Sequence, residues 1–228
     1  MKNNKGFTLI ELLAVITIMG ILMIVAIPAI TRTIENSRKD TFINTVQNYV
    51  NGLKTMWSSD NLSCIDFHDN SQNILSSSVS AGFYYVEVDS SNLNVPQLLE
   101  SGGDSPWGNR VLKGYILVHV YDTVAAGADG NIGTADDVFT RKTDYYPVMT
   151  DDIHGINVNS TYALANPSTG LKKSDNLTRG DLFMSGVTYN KTGWTSSVLT
   201  PPKFWEFDES TNAYTTVVGN AAKRCVER

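Results

Sequence analysis

Two sets of carboxylates in this sequence stand where simple solvation does not account for them. Glu11 lies in a run from Phe7 to Ile30 in which every other side chain except Thr8 and Thr17 is apolar or glycine. A carboxylate in hydrocarbon costs on the order of 2.5 to 3.5 kcal/mol on insertion scales, so an acid there is functional by default. Either it sits near the interface and reaches water, or it has a cation as partner at the same depth. The second set is in Gly127-Ala128-Asp129-Gly130-Asn131-Ile132-Gly133-Thr134-Ala135-Asp136-Asp137. Asp129, Asp136 and Asp137 bring three carboxylates into one short span, and the glycines let the backbone fold inward, so the segment offers hard oxygen ligands of the kind calcium takes. It is not an EF-hand, because the twelfth position counted from Asp129 is Thr140 rather than Glu. The same residues also suit an acidic, glycine-rich hairpin loop that holds no metal.

Other chemistry is thin. His68, His119 and His154 fall in no metal or catalytic spacing, and the chain has no nucleophile elbow, phosphate loop or metal-hydrolase helix. Cys64 and Cys225 are the two cysteines. In an exported chain such an even pair is a disulfide candidate, and in a reduced chain they would serve as two small buried hydrophobes. The formal net charge of -5 excludes a role that rests on a basic surface, such as non-specific nucleic-acid binding.

The element that must carry Glu11 is long. The apolar run to Ile30 is enough for one helix to cross a bilayer. Beyond Pro28, Ile34, Phe42, Val46, Tyr49 or Val50, Leu53 and Trp57 recur at three- and four-residue steps with polar residues between them, so the helix continues as an amphipathic half to about Ser58. Counted from Phe7 it reaches roughly 75 to 80 Å. Pro28 removes a backbone donor and predicts a kink. Asn61 to Gly82 reads as a loop with one short helix. Phe83 to Val88, Tyr115 to Tyr121 and Val138 to Met149 alternate as strands, with a short helix over Val95 to Glu100 and a turn at Ser105-Pro106-Trp107-Gly108-Asn109. Further strand-like pieces follow at Tyr162 to Leu164, Leu182 to Tyr189, Phe204 to Phe207 and Tyr214 to Val218. Phe204, Trp205, Phe207 and Tyr214 form an aromatic group suited to sheet packing or a binding patch.

Lys5-Gly6-Phe7-Thr8-Leu9-Ile10-Glu11-Leu12-Leu13 resembles the prepilin cleavage and methylation motif of type IV pilins and of the pseudopilins of type II secretion. The small residue precedes the apolar run instead of following it, unlike an ordinary signal peptide. The resemblance implies an α+β, pilin-like fold, with one long N-terminal helix packed on an antiparallel sheet. It implies a leader at 1–6, a membrane or filament-core helix at 7–30, a helical spine at 31–58 and a β-rich head at 59–228. A prepilin peptidase would cut between Gly6 and Phe7 and methylate the Phe7 nitrogen, and Glu11 would pair with that amine during assembly. The net charge becomes -7 once Lys2 and Lys5 leave with the leader. Lys2 and Lys5 stay on the cytoplasmic side, which exports the head.

The Gly127–Asp137 segment is similar to the calcium loop of the major pseudopilins. That likeness implies side-chain ligands from Asp129, Asp136 and Asp137 and carbonyl ligands from Ala126 and Thr134. Two strands between the Pro-Trp-Gly turn and the loop would be usual in that group, whereas the spacing here leaves room for one. The implied role is a structural subunit of a type IV pilus-like filament, not an enzyme. Its partners would be copies of itself, other pilins, the peptidase, and an assembly platform with its ATPase. Its place would be the cytoplasmic membrane and then the extracellular filament. A pseudopilin of a secretion or DNA-uptake apparatus, and a minor pilin acting as an adhesin module, are the rival roles.

Overall fold

The computed structural model describes residues 8–65, 73–89, 97–99, 103–108, 110–157, 171–184, 198–199, 205–208, 213–216 and 222–228. The periodicity of the first quarter of the chain becomes a single helix, α1, Leu9–Ser58, of 50 residues. Its start is set by Thr8, whose extended backbone and hydroxyl cap the first turn. It ends at Ser58, and Ser59 donates its amide back to the Thr55 carbonyl. Pro28 lies inside without ending the helix. Its ring nitrogen has no hydrogen to donate, so the helix runs on without that bond. Thr31 and Thr33 hydroxyls donate to the Ile27 and Ala29 carbonyls in the turn after it.

The two halves of α1 meet different surroundings. Every described residue from Thr8 to Arg38 is exposed, whereas Phe42, Ile43, Val46, Tyr49, Val50, Leu53 and Trp57 are buried. Those seven fall at helical spacing on one face, so the second half buries a stripe and the first half buries nothing. Each fully buried large side chain of this kind contributes about 1.5 to 3 kcal/mol.

What the stripe packs on is a sheet. The strands are β1 Leu62–Ile65, β2 Asn73–Leu75, β3 Gly82–Asp89, β4 Lys113–Ala125, β5 Val138–Thr150, β6 Gly155–Ile156, β7 Leu182–Phe183, β8 Val198–Leu199, β9 Trp205–Asp208, β10 Ala213–Thr216 and β11 Ala222–Glu227. Their order is β2-β1-β11-β3-β4-β5-β6-β7, with β8 beside β11, and β9 and β10 pair separately as a hairpin. The β11–β3 pair is parallel and the other pairings are antiparallel. Alternation along β3 and β4 sends Tyr84, Val86, Ile116 and Val118 to the α1 side and Phe83, Tyr85, Tyr115 and Leu117 to the other. This is the α+β, pilin-like arrangement.

Several local expectations are corrected. The Asn61–Gly82 segment is not merely loop and short helix: its described residues hold β1, β2 and a 3-10 turn at Ser76–Ser78. Gln97, Leu98 and Leu99 are not helical, and the rest of Val95 to Glu100 lies outside the described residues. The strand expected over Leu182 to Tyr189 is paired at Leu182–Phe183 and gone by Met184, with 185–189 outside the described residues. Tyr162 to Leu164, Phe204 and His68 also lie outside them. β11 was absent from the sequence reading altogether. Its Cys225 stands opposite Cys64 of β1 in register, and the two form a disulfide with their Cα atoms 4.1 Å apart.

Candidate functional site

The helix start brings Glu11 and Thr8 together. Thr8 donates its amide to Glu11 Oε2 at 2.8 Å and its hydroxyl to the same oxygen at 2.9 Å, while the Glu11 amide donates to Thr8 Oγ1 at 3.4 Å. This is a reciprocal capping box, which settles donors that a helix start leaves unpaired. The carboxylate is therefore held over the first turn by Thr8, the residue that follows Phe7 in sequence. Gly6 and Phe7 themselves lie outside the described residues. The cap explains how a carboxylate is oriented at the head of an apolar helix, and Thr8 is a residue that the reading of Glu11 alone passed over. Its signal was Thr-x-x-Glu before an apolar run. From Leu9 to Ile34 the helix presents exposed Leu, Ile, Val and Met side chains on all sides, and it is long and apolar enough to cross a membrane.

The acidic loop caps the β4–β5 hairpin, so one strand, not two, separates it from the Pro-Trp-Gly turn. Its carboxylates are turned onto loop amides. Asp136 Oδ2 accepts from the Asp129 amide at 3.3 Å and its Oδ1 from the Thr134 hydroxyl at 2.8 Å. Asp137 Oδ2 accepts from the amides of Gly133 at 2.6 Å and Thr134 at 3.2 Å, and Asp129 Oδ1 accepts from the Asn131 amide at 2.8 Å. The Thr134 hydroxyl and then the Asp129 amide hold the Asp136 carboxyl below the usual carboxylate range. Gly127 is required here, because a Cβ on it would come within 2.3 Å of both the Asp136 carbonyl and its carboxylate. Among the described residues no three Asp, Glu, His or Cys side chains gather at a point that could hold a metal ion. The donor chemistry suits calcium, but the carboxylates stand on amides rather than around a common centre. Of the two residues assigned carbonyl ligands, Ala126 precedes the loop in sequence and Thr134 lies within it, where its amide and hydroxyl donate to Asp137 and Asp136.

A third cluster was not anticipated. In the Pro-Trp-Gly turn, Ser105 donates its hydroxyl to Asp151 Oδ2 at 2.5 Å, and His154 Nδ1 lies 3.0 Å from the same oxygen. The His154 ring stacks on Trp107 with centroids 3.9 Å apart, and Trp107 in turn meets Phe42 of α1 at 5.9 Å. Burial opposes the charge of Asp151 most strongly. Hydrogen bonds from Ser105, the His154 ring and amide, and the Ile153 amide outweigh it and hold the carboxyl below its ordinary value. Ser105 points at the carboxylate and not at the imidazole, so the three residues clasp a turn to the sheet and do not form a nucleophile with its base. Nearby on α1, Asp40 pairs with Arg179 through both guanidinium contacts.

A family model described as the prokaryotic N-terminal methylation motif matches residues 1–27. Type II secretion system core protein G of Escherichia coli (strain K12) is 30% identical to the chain over 141 residues, which is 60% of this chain and 90% of that protein. No solved structure matches the chain at a significant level. Residues 8–27 of the methylation motif lie on the capped, uncovered helix described above, and the likeness runs nearly the full length of that relative, so this chain is a pilin-like structural subunit and belongs to the family of type II secretion system core protein G.

Proposed function

We propose that the chain is made as a precursor with leader 1–6, cut between Gly6 and Phe7 and methylated on the Phe7 nitrogen. It then waits in the cytoplasmic membrane through 7–30 with its C-terminal head outside, and is drawn into a filament as a non-enzymatic subunit. The segment 31–58 acts as spine and 59–228 as head. The observation that carries this is the first half of α1: an apolar surface exposed from Leu9 to Ile34 and headed by a carboxylate. Such a surface needs either lipid or the helices of neighbouring copies. Glu11 serves as the counter-charge to the Phe7 amine, its own or a neighbour's, because the amine loses its water when the helix enters a bundle. Partners are other copies, related pilins, the prepilin peptidase, and the assembly platform with its ATPase. The likeness to core protein G favours a secretion pseudopilin over a retractable pilus.

Calcium is the second part of this proposal. Asp129, Asp136 and Asp137, with carbonyls of Ala126 and Thr134, would hold the ion in the exported loop, and its charge would replace the amide hydrogens that now neutralise the carboxylates. Extracellular modules bind calcium at about 10⁻⁴ to 10⁻³ M, within reach of its level outside cells. Melting of the full-length chain in detergent should rise by several degrees with millimolar calcium over chelator, and Asp136→Ala should abolish the rise. An unchanged melting point in the parent would leave the loop as a solvated turn.

Two variants test the main reading. A bulky residue in place of Gly6 should leave uncut precursor, seen by mass, because the peptidase must reach the bond beside it. Glu11→Val should be cut and inserted normally, since it removes a costly charge from hydrocarbon. Filament yield should nevertheless collapse. Normal yield in a strain carrying only Glu11→Val would overturn the role given to Glu11.

A further inference from the structure

The β4–β5 hairpin outruns the helix it packs against. At one end, the His154 ring stacks on Trp107, which meets Phe42 of α1, and the Thr150 hydroxyl donates to the His154 carbonyl. Further along, the Lys54 ammonium lies 5.4 Å from the centroid of the Tyr145 ring. Between these anchors β5 advances about 17 Å, from Thr150 to Tyr145. The helix advances about 18 Å, from Phe42 to Lys54. The strand therefore runs back along the helix axis. From Tyr145 to Phe139 it gains about another 20 Å, whereas the helix has only about 6 Å left before Ser58. Phe139 stands about 14 Å past the helix end by that count.

The register of β4 with β5 is unbroken from Lys113↔Thr150 to Ala125↔Val138. Alternation therefore carries the helix-facing side outward. That side holds Ile116, Val118, Val120, Tyr145 and Met149 in the core. Beyond them Asp122 and Arg141 pair with each other, and the Arg141 guanidinium also donates to the Val79 carbonyl. Next on the same side, directly opposite one another, come Val124 and Phe139, which are 38% and 69% exposed. They continue a helix-binding face past the point where its own helix stops.

We infer that this overhang receives the bare stem of a second copy, a reading that rests on the filament proposed above. The matching surface on the stem is Ile27, Ile30, Ile34 and Arg38, which lie along one face at three- and four-residue steps and are all exposed. Arg38 has no ion pair among the described residues, whereas the nearby Glu35 is taken by Lys39 at 2.9 Å. The charges agree in register. Arg38 lies about 6 Å past Ile34 along the helix, and Asp136 and Asp137 lie just past Phe139 at the hairpin tip. With Phe139 against Ile34, the second copy is displaced by about 50 Å along a shared helix direction.

The test places a photoreactive phenylalanine analogue at position 139 of the full-length chain in assembling cells. Illumination should yield a dimer in the sheared filament fraction whose cross-linked peptide falls within residues 27–38. Phe139→Asp should lower filament yield at least tenfold, with cleaved subunit accumulating in the membrane and the melting point of the chain unchanged, since the side chain lies in solvent. Normal filaments with cross-links elsewhere, to another protein or not at all, would overturn the docking and leave the filament reading standing. Failure of the parent chain to form any filament removes both.

Discussion

His119 shows how one residue couples the sheet to pH. It is buried on the side of β4 away from α1, stacked at 4.2 Å on Phe83 and at 4.8 Å on Tyr121, with Asp144 its cross-strand partner. Burial disfavours the imidazolium and, although Asp144 pulls the other way, brings its pKa down to about 4. The unfolded chain takes up the proton near pH 6.5 and the folded chain does so only near 4. Stability is therefore full above about pH 6.5 and falls as pH drops towards 4. The total loss is on the order of 3 kcal/mol. Denaturant midpoints between pH 7 and pH 4 should show this slope, and His119→Gln should flatten it over that window. Asp151 acts lower down: its depressed carboxyl supports the fold above about pH 4 and ceases to do so as acid protonates it. Asp151→Asn should cost about 1 to 3 kcal/mol by weakening the bonds from Ser105 and His154. A melt unchanged by that substitution would mean that the clasp contributes nothing.

At the scale of elements, the second half of α1 is held by close backbone approach as well as by its apolar stripe. Gly52 packs so tightly that a Cβ would lie 2.0 Å from the Leu98 carbonyl oxygen. Glycine to alanine in a helix interior ordinarily stabilises by about 1 kcal/mol. Here Gly52→Ala should destabilise by about 1 to 3 kcal/mol, the usual range for overpacking. Circular dichroism melts of the two chains decide the sign. Gly114 on β4 is a second such point: its φ is +146°, and a Cβ would meet the Val148 carbonyl oxygen at 2.0 Å. Gly20, by contrast, has nothing within 4 Å of a Cβ. In the isolated chain Gly20→Ala should therefore be tolerated, and any loss seen only in filament yield would place a neighbouring helix against it.

For the whole molecule, the Cys64–Cys225 bond ties β11 to β1 across a sequence separation of 161. The Arg228 amide adds a hydrogen bond of 3.0 Å to the Asn61 carbonyl beside it. Closing so long a loop removes entropy from the unfolded chain worth about 4 to 5 kcal/mol in the chain-entropy model. A Cys64→Ser and Cys225→Ser double variant should lose about 2 to 5 kcal/mol, measured by denaturant midpoint under non-reducing conditions. The parent should move to the same midpoint when reduced. Because β11 lies between β1 and β3, its release would also open the sheet, so the loss should be cooperative with the rest of the head.

What was legible in the sequence was what depends on near neighbours in the chain. The apolar run with Glu11, the helical stripe from Phe42 to Trp57, the alternation in β3, β4 and β5, and the glycines of the acidic loop all follow from spacings of two to four residues. They were enough to define the long helix, a sheet against its second half and the place of the candidate loop, but the Thr8 cap was not read from them. The rest needed the tertiary structure, because it depends on residues far apart. Ala222–Glu227 is short and carries Lys, Arg and Glu. It becomes a strand because β3 and β1 offer it bonds on both sides, and no local pattern records that. Leu62–Ile65 is a strand for the same reason, since its partner is β11. Whether three aspartates gather around an ion or turn to their own loop amides depends on the path of the backbone, which composition does not specify. How far the hairpin overruns Ser58 is set by the register of β4 on β5 and by where that pair lies along α1.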